Sequence, residues 1–402
     1  VLKMKCLLQE MDVKNKRVIV RCDFNVPVSN GKILDDTKIK ASLETINYLI
    51  QNDCKIILLS HFGKVKTESD KQKYSLKIVA ERLNELVSTN VIFSPETRSS
   101  FLELKVMDLQ PKDILLVENT RFEDVPNGFE SNNDPQLAAY FASLGDIFVL
   151  DAFASSHRLH ASTSGIAKFI PSCLGFCVQK EMNMLDKYVL NAKRPFCIVM
   201  GGAKIDDKLL LMEKLLPKCD YMLLTGGLAN SVLKSLGLNV GESLATNDLK
   251  MLADVKEMLI KYHKKIVLPF DAIVGRKYDD NFADARDINK IGVDEVIGDI
   301  GPKTLNQYSK IFNTAATIFV NGTAGKYEDP RFSNGTLELF NALSNCSADV
   351  VLGGGDCVSA ANKFHMADKF TYTSTGGGAT LEYIINDTLP AIEAIMDKEE
   401  TL

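Results

Sequence analysis

The stretch Val18-Ile19-Val20-Arg21-Cys22-Asp23 places an apolar, β-branched run directly before charged residues. Similar apolar runs occupy residues 55–59, 113–117 and 146–150, and longer amphipathic stretches separate them. Short apolar runs that alternate with amphipathic helices are typical of βαβ units, whose strands form a mostly parallel sheet. The sequence therefore predicts an α/β fold.

Polar side chains follow each of these four runs. They are Arg21, Asp23 and Asn25; Ser60, His61 and Lys64; Glu118, Asn119 and Arg121; and Asp151, His157, Arg158 and His160. Because the carboxyl ends of parallel strands meet at one edge of a sheet, we expect these side chains to form one basic pocket for an anionic ligand. His61 taken alone fits a buried core histidine equally well, and only its neighbours favour a binding role.

In the second half of the chain, the strand-like runs end in glycines. The runs 196–200, 221–224, 349–352 and 370–375 precede Gly201-Gly202, Gly226-Gly227, Gly353-Gly354-Gly355 and Gly376-Gly377-Gly378. Glycine lets backbone amides approach phosphates or a flat base, and a following helix N-terminus favours anions. Tight turns between strands and helices also use glycine for steric reasons alone. Four such sites in one half favour a nucleotide site.

Two lysines and one aspartate extend this interpretation. Lys204 and Lys208 are four residues apart, which predicts that they share one face of the helix opened by Gly201-Gly202 and reach phosphates as point charges. Asp356 is suited to holding Mg²⁺ on a nucleotide, although capping of the next helix explains it equally well. A nicotinamide dehydrogenase is disfavoured because the chain lacks the Gly-x-Gly-x-x-Gly fingerprint.

Composition narrows the classes of protein further. The chain has 402 residues, a net charge of −5, 46% hydrophobic and 25% charged residues, which predicts a globular protein of two domains. The acidic balance does not support general binding to nucleic acid or to acidic membranes. The first 17 residues are too charged for a secretory signal, and no apolar run is long enough to span a membrane, so we expect a cytoplasmic protein. Nine scattered cysteines indicate neither a disulfide framework nor a zinc site.

Several motifs in this order resemble those of the phosphoglycerate kinase family. They are Val20–Pro27, Leu59–Lys64, Val117–Phe122, Asp151–Phe153, His157–Ser162, Gly201–Lys204, Asp299–Pro302, Gly353–Asp356 and Ser374–Ala379. The resemblance implies a glycolytic enzyme that moves a phosphoryl group reversibly between 1,3-bisphosphoglycerate and MgADP, giving 3-phosphoglycerate and MgATP. It also implies a monomer, with Mg²⁺ bound alongside the nucleotide.

The resemblance implies two doubly wound, Rossmann-like parallel-sheet lobes joined by a hinge helix. Residues 1–176 would form the lobe that binds the triose phosphate, residues 177–190 the hinge helix, and residues 191–387 the lobe that binds the nucleotide. Residues 388–402 would pack back on the first lobe. Hinge closure would bring the two substrates together and exclude water.

Site residues are carried over from the resemblance position by position. Those implied for the triose are Asp23, Phe24, Asn25, Lys38, His61, Phe62, Gly63, Lys64, Arg121 and Arg158. Those implied for the nucleotide are Lys204, Lys208, Gly226, Gly227, Glu328, Gly354, Gly355, Asp356 and Cys357, with Asp356 also implied for the metal. Lys38, Lys208, Gly376 and Gly377 would act on the phosphoryl group in transfer.

The chain departs from the family pattern at two important positions. Lys38 stands where the family has a catalytic arginine, and a lysine lacks the planar fork that holds two phosphoryl oxygens. Cys357 replaces the usual Thr or Ser and removes a hydroxyl donor. The chain has 37 lysines against 10 arginines, which is consistent with compositional drift in a slower but working kinase. The alternative is a catalytically weakened homologue that only binds nucleotide or triose phosphate.

Overall fold

The computed structural model describes residues 4–401, and the chain divides into two compact units. The first unit contains the residues up to Asn183 and those from Asn386 onward, and the second runs from Met184 to Ile385. The division falls inside the segment 177–190 that the sequence identified as a connector. Its role as a hinge stays a prediction.

A parallel sheet in the order β5-β6-β4-β1-β7-β8 forms the centre of the first unit. The strands are β1 (Arg17–Arg21), β2 (Val28–Ser29), β3 (Lys32–Ile33), β4 (Lys55–Leu59), β5 (Val91–Ser94), β6 (Ile114–Val117), β7 (Ile147–Leu150) and β8 (Ser172–Leu174), of which β2 and β3 form a separate hairpin. Val18, Ile19 and Val20 of β1 have no exposed surface. Burying each such side chain contributes roughly 1.5–3 kcal/mol relative to leaving it in water.

Helices connect these strands. They are α1 (Thr37–Ala41), α2 (Leu43–Gln51), α3 (Asp70–Lys73), α4 (Lys77–Leu86), α5 (Ser100–Asp108), α6 (Pro135–Ser143) and α7 (Phe176–Leu185). Helix α6 shows how the sequence sets a helix start: the Asp134 side chain accepts a hydrogen bond from the Leu137 amide, and Pro135 occupies the first turn. The α7 helix continues as a π-helical turn from Asp186 to Leu190.

A second parallel sheet, in the order β11-β10-β9-β15-β16-β17, forms the centre of the second unit. The strands of this unit are β9 (Phe196–Met200), β10 (Tyr221–Leu224), β11 (Ile266–Val267), β12 (Asp271–Arg276), β13 (Asp279–Asp287), β14 (Glu295–Ile300), β15 (Thr317–Asn321), β16 (Asp349–Leu352) and β17 (Tyr372–Thr373). The helices are α8 (Leu209–Leu215), α9 (Gly226–Ser235), α10 (Leu249–Lys261), α11 (Pro302–Phe312), α12 (Asn334–Asn345), α13 (Gly355–Lys363) and α14 (Gly378–Asn386). Two parallel sheets confirm the predicted fold class.

The second unit also contains an element that the sequence analysis did not identify. Strands β12, β13 and β14 form an antiparallel sheet in the order β13-β12-β14. Most of β13 is exposed and charged, so it lacks the apolar run by which the other strands are recognised. None of the helices within residues 4–401 has the length and apolar character that a membrane crossing requires.

The end of the chain belongs to the first unit, where α15 (Pro390–Glu393) lies. The buried Lys5 ammonium donates to the carbonyl oxygens of Glu393 and Ile395, at 2.9 and 2.8 Å, and pairs with the Asp397 carboxylate at 2.9 Å. Lys5 therefore satisfies three acceptors near the end of α15 at once. The backbone amide of Cys6 adds a hydrogen bond to the Met396 carbonyl.

We expect Lys5→Met to destabilise this terminal segment. The substitution keeps the buried aliphatic stem but leaves the Glu393 and Ile395 carbonyls without their charged donor, at a cost of roughly 2–4 kcal/mol. Hydrogen exchange read by mass spectrometry should show faster exchange over residues 388–398. Lys398→Met is the matched control, because Lys398 pairs with Glu10 at a half-exposed site worth less than about 1 kcal/mol. Equal hydrogen-exchange rates over residues 388–398 in Lys5→Met and Lys398→Met would contradict this stabilising role of Lys5.

Candidate functional site

Strand register aligns the polar segments of the first unit along one edge of its sheet. Arg21 at the end of β1 lies opposite Leu59 of β4 on one side and opposite Leu150 of β7 on the other. Leu116 of β6 pairs with Leu58 in the same direction. The segments after these strands therefore leave the sheet side by side, as the sequence predicted.

Two short contacts join the first of these segments to its neighbours. The Lys38 ammonium of α1 forms an ion pair with the Asp23 carboxylate at 2.9 Å. Burial raises the pKa of Asp23, but the charge and hydrogen bond of Lys38, together with His61 and the Asn25 amide, outweigh it and hold the pKa below its usual value. The Asn25 side-chain oxygen accepts a hydrogen bond from the Gly63 amide at 2.8 Å. Asp23, Asn25, Lys38 and Gly63 are thus brought together.

His61 is held by a buried arginine. Arg21 has no exposed surface, and its Nη2 lies 3.0 Å from His61 Nδ1. Burial, reinforced by the nearby Arg21 charge, lowers the pKa of His61 to about 3. His61 is therefore a neutral imidazole at physiological pH. The residue is only partly buried, which fits a polar contact at this edge better than a buried core histidine.

Asn119, which follows β6, fixes the backbone of the His61 segment. Its Oδ1 accepts from the Phe62 amide at 3.0 Å, and its Nδ2 donates to the Phe62 carbonyl at 2.7 Å. The same Oδ1 accepts from the Arg121 amide at 3.0 Å. Arg121 is half-buried, and its Nε is one of the buried side-chain donors that have no hydrogen-bond partner among the described residues.

The remaining residues proposed for the triose differ in exposure. Lys64 and Arg158 are exposed, and Arg158 Nε donates to the neighbouring His157 ring at 3.3 Å. The rings of Phe24 and Phe62 are buried, so only their backbone can face a ligand. Gly63 has a positive φ of 61°, and an added Cβ would lie 2.2 Å from the Tyr74 ring.

A cavity of about 910 Å³ lies in the second unit. Among the residues proposed for a nucleotide, Gly226, Gly227, Glu328 and Asp356 line it. Its wall also includes apolar side chains: Leu233, Leu244, Val296 and Phe332. The combination of an apolar wall with a few carboxylates and glycines suits a flat base joined to a polar sugar and phosphates.

The placement of Lys204 and Lys208 on a helix is wrong. Helix α8 begins at Leu209 with Lys208 as its N-cap, so both lysines lie in the loop that follows β9. Gly202, which was expected to open the helix, has a positive φ of 113° and lies in this loop. Lys204 is exposed, whereas Lys208 is partly buried and its ammonium donates to Asn321 Oδ1. Burial lowers the pKa of Lys208.

The glycines divide into two groups by the space around them. Added Cβ atoms at Gly201, Gly227 and Gly322 would lie 2.3–2.5 Å from neighbouring loops, so these glycines permit close packing of loops at the sheet edge. Gly355, Gly377 and Gly378, in contrast, have no heavy atom within 4 Å of an added Cβ. The open glycines stand at the starts of α13 and α14, where unpaired amides favour anions.

The Cys357 thiol is turned away from the open edge. It is fully buried and donates to the carbonyl oxygens of Gly353 and Gly354 at 3.2 and 3.3 Å. Burial raises its pKa to about 11, so it remains protonated. Only the backbone of Cys357 is available to a nucleotide. Asp356, one residue earlier, is exposed in the first turn of α13.

Two residues with structural importance at this edge were not among the predicted site residues. Asn321, the last residue of β15, accepts from Lys208 and donates through Nδ2 to the Gly353 carbonyl at 2.7 Å. The buried Asp299 carboxylate accepts from the Gly335 amide at 2.7 Å and lines the cavity. Asn321 ends a parallel strand, which is the signal that identified the polar residues of the first unit, whereas Asp299 lies one residue before the end of the antiparallel strand β14.

Comparison with known proteins identifies the family. The family model described as "Phosphoglycerate kinase" matches residues 8–386. The chain belongs to the phosphoglycerate kinase family. Similar members include those of Fusobacterium nucleatum, 43% identical over 400 residues, and Macrococcus caseolyticus, 44% identical over 396 residues. Each match covers 98% of this chain and all of the relative.

Solved phosphoglycerate kinase structures have the same fold. The Coxiella burnetii structure superimposes with a TM-score of 0.85 at 34% identity, and the Pyrococcus horikoshii structure with a TM-score of 0.81 at 29% identity. Each match covers 97% of this chain and 98% of the other. The fold of this phosphoglycerate kinase family member, predicted as two parallel-sheet lobes, is thereby confirmed.

Asp299 generates a prediction on pH and stability. Burial raises its pKa to about 7, so between about pH 4 and 7 the folded protein keeps a proton that the unfolded chain has lost. The stability that this group provides is complete at low pH and is lost as the pH rises through 7. Asp299→Asn loses an acceptor and should lower the melting temperature at pH 5, with a deficit that shrinks towards pH 8.

Asp329→Asn is the control for this measurement. Asp329 also lines the cavity, but its side-chain hydrogen bond from Arg331 lowers its pKa, so it stays ionised from pH 5 to 8. Its deficit in melting temperature should stay constant over that range. A deficit for Asp299→Asn that grows with pH would show that the carboxylate is the favoured form.

Proposed function

We propose that this protein is a working phosphoglycerate kinase, which transfers a phosphoryl group reversibly between 1,3-bisphosphoglycerate and MgADP. The observation that carries the proposal is the pairing of two unlike sites on two sheets: a basic edge around His61 and Arg121, and a cavity lined by Glu328 and Asp356. The first suits a small phosphorylated carboxylic acid and the second a nucleotide. A cytoplasmic, monomeric enzyme is the corresponding prediction for the cell.

The basic edge provides the groups that would hold the triose. His61 offers a neutral N–H donor, while Arg121, Arg158 and Lys64 supply positive charge for phosphate and carboxylate oxygens. Asn25, tied to the Gly63 amide, and Asp23 would orient the polar groups of the triose. Because phosphoryl transfer asks little covalent chemistry of a protein, the contribution of these residues is positioning.

The second sheet would position the nucleotide and stabilise the group in transfer. Gly226 and Gly227 would border the adenine, Glu328 would accept from the ribose hydroxyls, and the Gly354–Cys357 backbone would contact phosphates. Lys204 and Lys208 would contact the phosphates as point charges. The open amides around Gly377 at the start of α14 would stabilise charge on the phosphoryl oxygens, together with Gly376 and Lys208.

The residues at the start of α13 fit a magnesium ion held jointly with a nucleotide. Asp356 is an exposed carboxylate at the cavity wall, and Mg²⁺ in kinases uses one or two carboxylates with phosphate oxygens and water. Among the described residues no cluster of three or more His, Cys, Asp or Glu side chains is arranged for a metal, so the nucleotide would have to complete the shell. When bound, the ion neutralises charge on the phosphate oxygens.

Lys38 is the residue that bears on the rate. In this structure its ammonium is paired with Asp23, so it lies at the basic edge, but it contacts an anion through one point rather than through a fork. This observation favours the second candidate function, a homologue that binds its ligands with little turnover. The retained carboxylates and lysines of the nucleotide edge favour the kinase.

Initial rates of transfer from MgATP to 3-phosphoglycerate test the proposal. We expect measurable turnover by the natural protein and a rise in kcat of about tenfold in Lys38→Arg, since a guanidinium can hold two phosphoryl oxygens. Lys40→Arg is the matched control on the same helix, because Lys40 is exposed and paired with Asp36 at 3.2 Å. It should leave kcat unchanged.

Three outcomes separate the two functions. Turnover that increases only in Lys38→Arg supports a kinase slowed by a tolerated substitution. Absence of turnover in the natural protein and in Lys38→Arg, with ADP binding intact by calorimetry, would replace the kinase by the binding protein. Turnover that is equal in all three proteins would remove Lys38 from the catalytic set.

A further inference from the structure

Arg21 is a buried cation whose every side-chain nitrogen has a partner. Nε donates to the Ser162 hydroxyl at 2.8 Å, Nη1 donates to the Cys22 carbonyl, and Nη2 lies 3.0 Å from His61 Nδ1. The residue has no exposed surface. A guanidinium in such a place must be neutralised and hydrogen-bonded, because the cost of burying an unpaired charge is large.

Glu130 and Asp23 are the carboxylates whose charges act on Arg21, and Glu130 is connected to it through one hydroxyl. Glu130 is fully buried; its Oε2 accepts from the Ser162 hydroxyl at 2.7 Å, and its Oε1 accepts from the Ser162 amide at 2.8 Å. The hydroxyl has a single hydrogen, which the contact to Glu130 uses, so its lone pairs accept from Arg21. Hydrogen bonds therefore run in one direction, from Arg21 through Ser162 to Glu130.

The same directionality determines the state of His61. A guanidinium has only donors, so the His61 Nδ1 that faces Nη2 must carry a lone pair. The proton of the neutral ring then resides on Nε2. The charged groups that act on His61 are Arg21, Arg121 and Lys38, which oppose its protonation, and Asp23, which favours it. Three cations against one carboxylate, together with burial, keep the ring neutral.

We propose that Glu130, Ser162 and Arg21 are positioning residues that fix His61 as a neutral Nε2–H donor to an oxygen of the anionic triose. The identity of that ligand rests on the proposed function, whereas the tautomer does not. A ring fixed in this way donates one hydrogen bond across the physiological pH range and does not serve as a base. It lets the edge bind an oxyanion without a change of protonation at His61.

Nitrogen NMR on the ligand-free protein tests the tautomer directly. The protein contains five histidines, and the spectrum of His61→Gln identifies the signals of His61 by their loss. We expect a pyridine-type Nδ1 and a pyrrole-type Nε2 that do not change between pH 5 and 8. A protonated Nδ1, or a titration midpoint inside that range, would overturn the proposal without any need for a buried variant to fold.

Ser162→Ala tests the connection between Glu130 and His61. Loss of the hydroxyl leaves Arg21 Nε without its acceptor, so the guanidinium is no longer held in place against His61. Because Nη2 would then face Nδ1 only part of the time, His61 should show mixed tautomers. Calorimetry should give a dissociation constant for 3-phosphoglycerate raised about tenfold, the effect of one weakened hydrogen bond to a charged group. The KM for MgATP should not change. Ser164→Ala is the matched control, because Ser164 is also buried and its hydroxyl donates to the His160 carbonyl at 3.0 Å.

The outcomes of this second experiment are distinct from failure of the proposed function. A folded Ser162→Ala protein with an unchanged tautomer and unchanged affinity would overturn the positioning role. If the natural protein shows the Nε2–H tautomer but does not bind 3-phosphoglycerate, the proposed substrate fails while the positioning of His61 is supported. If Ser162→Ala and Ser164→Ala change the His61 tautomer and the dissociation constant equally, the effect is explained by loss of a buried hydroxyl alone. That outcome would count against the proposal.

Discussion

Parallel register is the constraint on which both candidate sites depend. In the first unit Arg21 lies level with Leu59 and Leu150, and in the second unit Met200 lies level with Leu224 and Asn321. The central strands of these two parallel sheets are apolar to their last residue or nearly so, because both faces of each sheet are covered. Polar side chains are therefore admitted only where strands end, and parallel direction gathers those ends at one edge. The positions of the polar side chains in both candidate sites therefore follow from the packing of the parallel strands in the hydrophobic cores.

Both edges use an asparagine to hold a neighbouring loop. Asn119 bonds the backbone of Phe62 through both its oxygen and its nitrogen, and Asn321 links the Lys208 ammonium to the Gly353 carbonyl. A carboxamide suits this place because it donates and accepts without charge, so it satisfies buried backbone groups at no electrostatic cost. Loops that would otherwise move independently of the sheet are thereby tied to a strand end. This explains how side chains on irregular segments can keep a defined geometry.

The sequence predicted most of the parallel strands and the alignment of the segments that follow them along one sheet edge, since both follow from apolar periodicity and chain direction. It did not predict where α8 begins: the helix starts only at Leu209, and Gly202 lies in the loop that precedes it. It missed the antiparallel sheet because the exposed strand Asp279–Asp287 carries acidic residues where an apolar run is expected. The sequence also did not predict the hydrogen bonds that connect Arg21 through Ser162 to Glu130. Arg21 and Ser162 are more than a hundred residues apart, and contacts between such distant residues leave no local sequence pattern.

The two interpretations that the sequence leaves open for the glycines make different demands on the space around each one. Gly201, Gly227 and Gly322 are required for packing, since any side chain there would meet a neighbouring loop. Gly355, Gly377 and Gly378 are under no such steric demand, and they stand where α13 and α14 begin. A Cβ would fit at Gly355 and Gly378, so packing gives no reason for the absence of a side chain there. Gly377 differs, because its positive φ of 55° favours glycine by itself. Close approach of a ligand to backbone amides at a helix N-terminus does give a reason at Gly355 and Gly378, and it supports the proposal that phosphates bind at the starts of α13 and α14.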